Sequence, residues 1–122
     1  MQVSAPYEVQ TVATGISGGY SIDFLPDGRI LLVERAGRLR IIDRSGQISG
    51  PLAGLPAIYG GGPQGLCGAI ADHNFATNRT VYLAYATRDA NAPTPAPRLG
   101  GFLTIARARL STDSTKVEDV HV

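Results

Sequence analysis

The sequence predicts an all-β fold assembled from small antiparallel meanders, and three observations carry that expectation. Ser21–Asp43 (SIDFLPDGRILLVERAGRLRIID) divides into three extended runs separated by two turn signals. The pattern returns fifty residues later, where Arg79 precedes TVYL as Arg29 precedes ILLV. No segment carries the apolar period of an amphipathic helix. Meanders repeated in this way are the units of β-propellers, one four-stranded blade per repeat.

Tyr7–Ala13 (YEVQTVA) alternates as a strand does, and Gly15 and Gly18-Gly19 close it. Ser21–Leu25 ends at Pro26-Asp27-Gly28, where Pro pre-sets the turn and Gly permits positive φ. Arg29–Arg35 holds an unbroken aliphatic block, the mark of a strand buried on both faces. Ala36-Gly37 reverses the chain into Arg38–Asp43, whose Arg38 and Arg40 alternate with Leu39 and Ile41. After the turn at Arg44-Ser45-Gly46, Gln47–Leu55 is a weaker run, and Gly50 and Pro51 suit it to a sheet edge.

A flexible loop is expected over Gly60–Gly65 (GGGPQG) before a second round begins. Leu66–Ala71 reads as a strand, Asp72–Arg79 as a turn and Thr80–Thr87 (TVYLAYAT) as a strand of sheet-forming residues. Ala90–Gly101 is a Pro-rich surface loop. Phe102–Leu110 alternates, with Ala106, Ala108 and Leu110 on one face and Arg107 and Arg109 on the other; Val117–Val122 is a final outer strand. Arg38-Leu39-Arg40-Ile41 matches Arg107-Ala108-Arg109-Leu110, so the two rounds correspond.

A chain of 122 residues with 43% hydrophobic residues is long enough for one core and too apolar for disorder. Eleven basic and ten acidic residues are scattered without blocks, which offers no stripe for a nucleic-acid backbone and no patch for anionic lipid. Neither nucleic acid nor membrane is expected as a partner. No run is long enough to span a bilayer, and Met1–Gln10 carries no recognisable signal peptide. Cys67 is the single cysteine, so no internal disulfide forms; its apolar neighbours Leu66, Gly68 and Ala69 suit a buried thiol.

The ordered set FLPDGRILLVERAGRLRIID, the Gly-rich loop with Gln64, and FATNRTVYLAYA resembles the N-terminal part of the soluble sugar dehydrogenases that use pyrroloquinoline quinone, the glucose/aldose/sorbosone type. The similarity runs from about Val9 to Val122 and covers about the first third of such an enzyme. The resemblance implies part of a six-bladed propeller, with the quinone and a calcium ion bound on one face near the central channel. It makes Tyr7–Ala13 (7–13) a ring-closing strand, 21–55 a first blade and 66–122 a second, within one partial propeller domain over 1–122. It also implies a periplasmic or secreted location and a sugar as substrate.

In that family a glutamine of the Gly-rich loop faces the sugar, which points to Gln64 as a substrate-binding residue. Strict alignment puts Pro63 where that glutamine belongs and Gln64 one place later. The family's catalytic histidine, its cofactor-contacting arginines and its calcium ligands fall beyond Val122. No catalytic, cofactor-binding or metal-binding residue is therefore assigned, and neither quinone nor calcium is expected in this chain alone. His73 reads as a turn residue and His121 matches no catalytic motif. Glu34 and Arg35, at a strand end resembling the family's thr-glu-arg, read first as a structural ion pair or hydrogen-bond anchor and second as active-site residues. Asp23, Asp27, Asp43 and Asp72 adjoin turns, where aspartate caps the backbone. Gly60–Gly62 lacks the following Lys-Ser/Thr of a phosphate loop, and Asn78-Arg79-Thr80 is a glycosylation sequon by spelling alone.

Two functions stay open at this point, beside a bare structural fragment that aggregates or is stabilised only by a partner. One is an N-terminal fragment or truncated relative of a quinone-dependent dehydrogenase, inactive by itself because general-base catalysis needs a titratable group at the substrate. The other is a carbohydrate-binding or structural module in which three two-blade copies complete the ring as a homotrimer, since exposed blade faces and strand edges invite association.

Overall fold

The computed structural model describes residues 6–59, 65–88 and 101–122. Two antiparallel meanders account for most of them. The first is β1 (Gly19–Phe24), β2 (Ile30–Glu34) and β3 (Arg38–Ile42), in the order β1-β2-β3. The second is β4 (Leu66–Ala71), β5 (Thr80–Arg88), β6 (Gly101–Leu110) and β7 (Val117–His121), in the order β4-β5-β6-β7. Sheet order repeats chain order in both, as hairpin turns require. The first turn shows the local cause: Asp27 Oδ1 accepts from the Arg29 N–H at 3.0 Å while Gly28 takes φ +91.

The alternation read from the sequence decides what each face meets. Leu31, Val33, Leu39 and Ile41 point at the second sheet, where Ala69, Val81, Leu83, Ala106 and Ala108 oppose them in one buried cluster. Each fully buried large aliphatic side chain here contributes roughly 1.5–3 kcal/mol. β2 is apolar on both faces because Leu32 is buried as well, on the side away from the second sheet. Polar ties add register between the sheets. Asp23 Oδ2 on β1 accepts from the Ala71 N–H on β4 at 2.7 Å, and Arg29 and Arg79 both donate to Ser114 Oγ at 2.9 and 3.0 Å.

Two expectations are corrected. Asp72–Arg79 is a turn that includes a short helix, α1 (Phe75–Asn78), which seats the buried Phe75 under the core and ends at Arg79 with φ 53. The run Gln47–Leu55 forms no continuous fourth strand of the first blade. It keeps single bonds instead, from Ser49 N–H to Ile41 O and from Leu52 N–H to Leu39 O, both 2.8 Å. Pro51 has no N–H to continue the ladder. Residues 7–13 are not a strand of either described sheet. The Pro-rich loop at Ala90–Gly101 lies outside the described residues except for Gly101, which begins β6.

Both sheets keep an apolar face turned away from the shared core. On the first, Tyr20, Ile22 and Phe24 are exposed; on the second, Ile105 is 56% and Leu103 70% accessible, beside Ile70. A blade buried on both sides inside a ring has this pattern, and the fold is a nearly all-β portion of a propeller.

Candidate functional site: the glycine-rich end of the two sheets

The stretch 60–64, with Gln64 in it, lies outside the described residues, but both of its flanks are fixed at one place. The Tyr59 N–H donates to Ala86 O at 2.8 Å, and the Ala86 N–H donates to Gly65 O at 2.9 Å. One residue of β5 therefore anchors both sides of the glycine-rich stretch. Gly65 then passes the first sheet so closely that a Cβ there would stand 2.5 Å from Arg35 O, and its φ is +143. Only glycine meets both conditions without strain.

The β2–β3 hairpin, Glu34–Arg38, shares this end. Its turn is closed by the Gly37 N–H on Glu34 O at 3.0 Å, and the Arg35 N–H donates to Gly18 O at 2.9 Å. Glu34 is fully buried, with three donors at its carboxylate: Arg38 Nε at 2.8 Å, Ser17 N–H at 3.0 Å and Arg40 Nη1 at 3.4 Å. Burial pushes the Glu34 carboxyl up, but the Arg38 and Ser17 hydrogen bonds and the charges of Arg38 and Arg40 outweigh it and hold the group below 4.5. Glu34 stands directly across the ladder from Arg38. Glu34 is thus the anchor expected from the sequence, tying the N-terminal segment to the sheet, but its ion-pair partners are Arg38 and Arg40 rather than Arg35.

Arg35 does something else. Its guanidinium lies 4.7 Å above the Tyr20 ring, and it is exposed and pairs with no carboxylate among the described residues. Counting the described residues, this end carries Arg35, Arg38, Arg40 and Arg88 against the single carboxylate Glu34. The opposite end balances its charges: Asp27, Asp43, Asp72 and Asp113 sit among Arg29, Arg44, Arg79 and Lys116. Those aspartates cap turns. Asp113, for example, accepts from Ser111 Oγ, Thr115 Oγ1 and the Thr115 N–H, which lowers its carboxyl to about 2.

His73 is exposed in its turn and His121 is exposed on β7, far from the glycine-rich end. Cys67 is half-buried, its Sγ 3.5 Å from Gly65 O. Among the described residues, no group of three or more His, Cys, Asp or Glu is placed to hold a metal ion. No helix of the described part is long and apolar enough to cross a membrane.

Comparison with known proteins agrees with this geometry. The family model for glucose/sorbosone dehydrogenase matches residues 16–122. The aldose sugar dehydrogenase YliI of Escherichia coli (strain K12) is 29% identical over 118 residues, which cover 94% of this chain and 29% of that protein. A solved glucose dehydrogenase superposes with a TM-score of 0.78 at 31% identity, over 88% of this chain and 32% of its own. The PQQ-bound aldose sugar dehydrogenase of Streptomyces coelicolor shares the fold, with a TM-score of 0.72 at 20% identity over 93% of this chain and 31% of its own. The chain thus spans about a third of the length of the proteins it matches. With every described strand inside the matched region, the chain belongs to the glucose/sorbosone dehydrogenase family.

Proposed function

We propose that these residues form the first two blades, 21–55 and 66–122, of a quinone-dependent aldose dehydrogenase, and that 7–13 closes the ring on a further blade. The observation that carries this reading is the family match over 16–122, which takes in every strand of both sheets. In this reading the two blades build one wall of the sugar site. The glycine-rich stretch, held at both flanks by Ala86, presents Gln64 to the substrate hydroxyls. When bound, the quinone supplies the electron sink for oxidation of the sugar. The chain's own part is to position and to exclude water. Deprotonation of the sugar hydroxyl falls to a base on another blade, since His73 and His121 stand away from this end. A periplasmic or secreted location follows from the same reading.

Dye reduction in the presence of quinone, calcium and a panel of aldoses tests it. Residues 1–122 alone give no turnover, and a polypeptide that also carries the remaining blades does. Turnover by 1–122 alone contradicts the assignment of the base. The exposed faces around Ile22 and Ile105 favour a second reading, a ring of three copies that binds carbohydrate without oxidising it. Sedimentation equilibrium separates the two: a monomer excludes the trimer.

A further inference from the structure

We propose that Arg35, stacked on Tyr20 at the glycine-rich end, is a recognition group for a carboxylate on a small ligand that enters there. Most of the chain's described arginines that hold fixed positions spend their charge or their donors internally. Arg38 and Arg40 share Glu34, Arg29 holds Asp27, and Arg109 lies between Glu118 and Asp119. Arg79 donates to Leu110 O, Ser111 O and Ser114 Oγ. Arg35 has none of these outlets among the described residues; its side chain rests on the Tyr20 ring.

Its mount is rigid for a surface residue. The Arg35 N–H is bonded to Gly18 O, its carbonyl is wedged against Gly65, and the hairpin closes two residues later at Gly37. The Tyr20 ring, 4.7 Å from the guanidinium carbon, supports one face of the cation. Stacking of that kind leaves the edge donors free, and the planar fork matches a carboxylate with two parallel bonds. The neighbouring Arg38 and Arg40 leave this end positive even after Glu34 is counted, which raises the local concentration of anions. The place where ligands enter rests on the proposed function; the cation and its mount do not. Two small molecules bring carboxylates to such a site, the quinone itself and a sugar acid.

The test is equilibrium titration, at low and physiological salt, of the purified polypeptide that also carries the remaining blades, with three probes: pyrroloquinoline quinone, glucuronate and glucose. Arg35→Gln keeps the fold, because the side chain is exposed, and circular dichroism checks this. The variant binds a carboxylate probe about tenfold more weakly, as loss of one charge-assisted pair implies, and leaves glucose unchanged. Arg35→Lys falls between, since charge survives and the fork does not. Tyr20→Leu weakens carboxylate binding by a smaller factor, about threefold. A loss confined to the quinone assigns the carboxylate to the cofactor, and a loss confined to glucuronate assigns it to the substrate. Binding by Arg35→Gln within twofold of wild type for both carboxylates overturns the proposal, as does wild-type protein that binds neither. If the quinone binds and the variant matches wild type, only this inference fails and the dehydrogenase reading stands.

Discussion

Replacing Glu34 by glutamine is the sharpest test of how the glycine-rich end is held together. The substitution keeps shape and volume but turns one acceptor oxygen into an NH₂ that faces a donor. Three donors converge on the carboxylate at 2.8, 3.0 and 3.4 Å, so glutamine cannot satisfy them all. A hydrogen bond to a charged group is worth about 1.5–3 kcal/mol when buried, whereas an exposed ion pair gives about 0–1 kcal/mol. Glu34 is buried but Arg38 is 38% exposed and can regain water, which places the loss near 2 kcal/mol. With a urea dependence of about 1–1.5 kcal/mol per molar, the midpoint falls by about 1.5 M. Arg38→Gln costs less, about 1 kcal/mol, and the double variant shows a coupling of about 1 kcal/mol. Urea unfolding of the four proteins in one buffer measures all three quantities. A Glu34→Gln protein within 0.5 kcal/mol of wild type would refute the idea that this cluster pins the N-terminal segment, whose only described link to it is the Ser17 N–H.

Other outcomes follow from the same contacts. Gly65→Ala brings a Cβ against Arg35 O at φ +143 and destabilises by about 1–3 kcal/mol, read as a lower melting temperature. Leu83→Ala, in the core between the sheets, costs about 2–5 kcal/mol, while Ile105→Ala on the outward face costs less than about 1 kcal/mol in this chain by itself; equal losses would contradict the face assignment. Acid unfolding has a definite sign. The carboxyls of Asp27, Glu34, Asp43, Asp72 and Asp113 are all lowered in the folded state, so their stabilisation is full above their ordinary values near 4 and is lost as pH falls. Thermal melts show little change between pH 7 and 5 and a steep decline below 4, ending near 2 with Asp113.

The strands were legible because each one combines a period with a turn chemistry. ILLV and TVYL mark the second strand of each meander, and the alternation of Ala106, Ala108 and Leu110 against Arg107 and Arg109 predicts the faces that β6 presents. The weak element, Gln47–Leu55, was read as an edge from Pro51, and the same proline is why its ladder breaks. The helix at Phe75–Asn78 was not legible, because four residues are too few to show a helical period. At the site, Glu34 could be read as an anchor, but its partners are set by cross-strand register and not by sequence adjacency. Pairing each residue of the Glu34–Arg38 hairpin across its tight turn would have found Arg38. The stack of Arg35 on Tyr20 joins residues fifteen apart through a bulge between Gly19 and Ser21, which no spacing rule reveals.

A crystal structure of the polypeptide at its native length tests the central claim most directly. The account predicts a further antiparallel sheet packed on the face formed by Ile70, Leu103 and Ile105, with Ile22 and Phe24 covered from the other side. Either face standing bare to solvent, or closed by a helix, would contradict it.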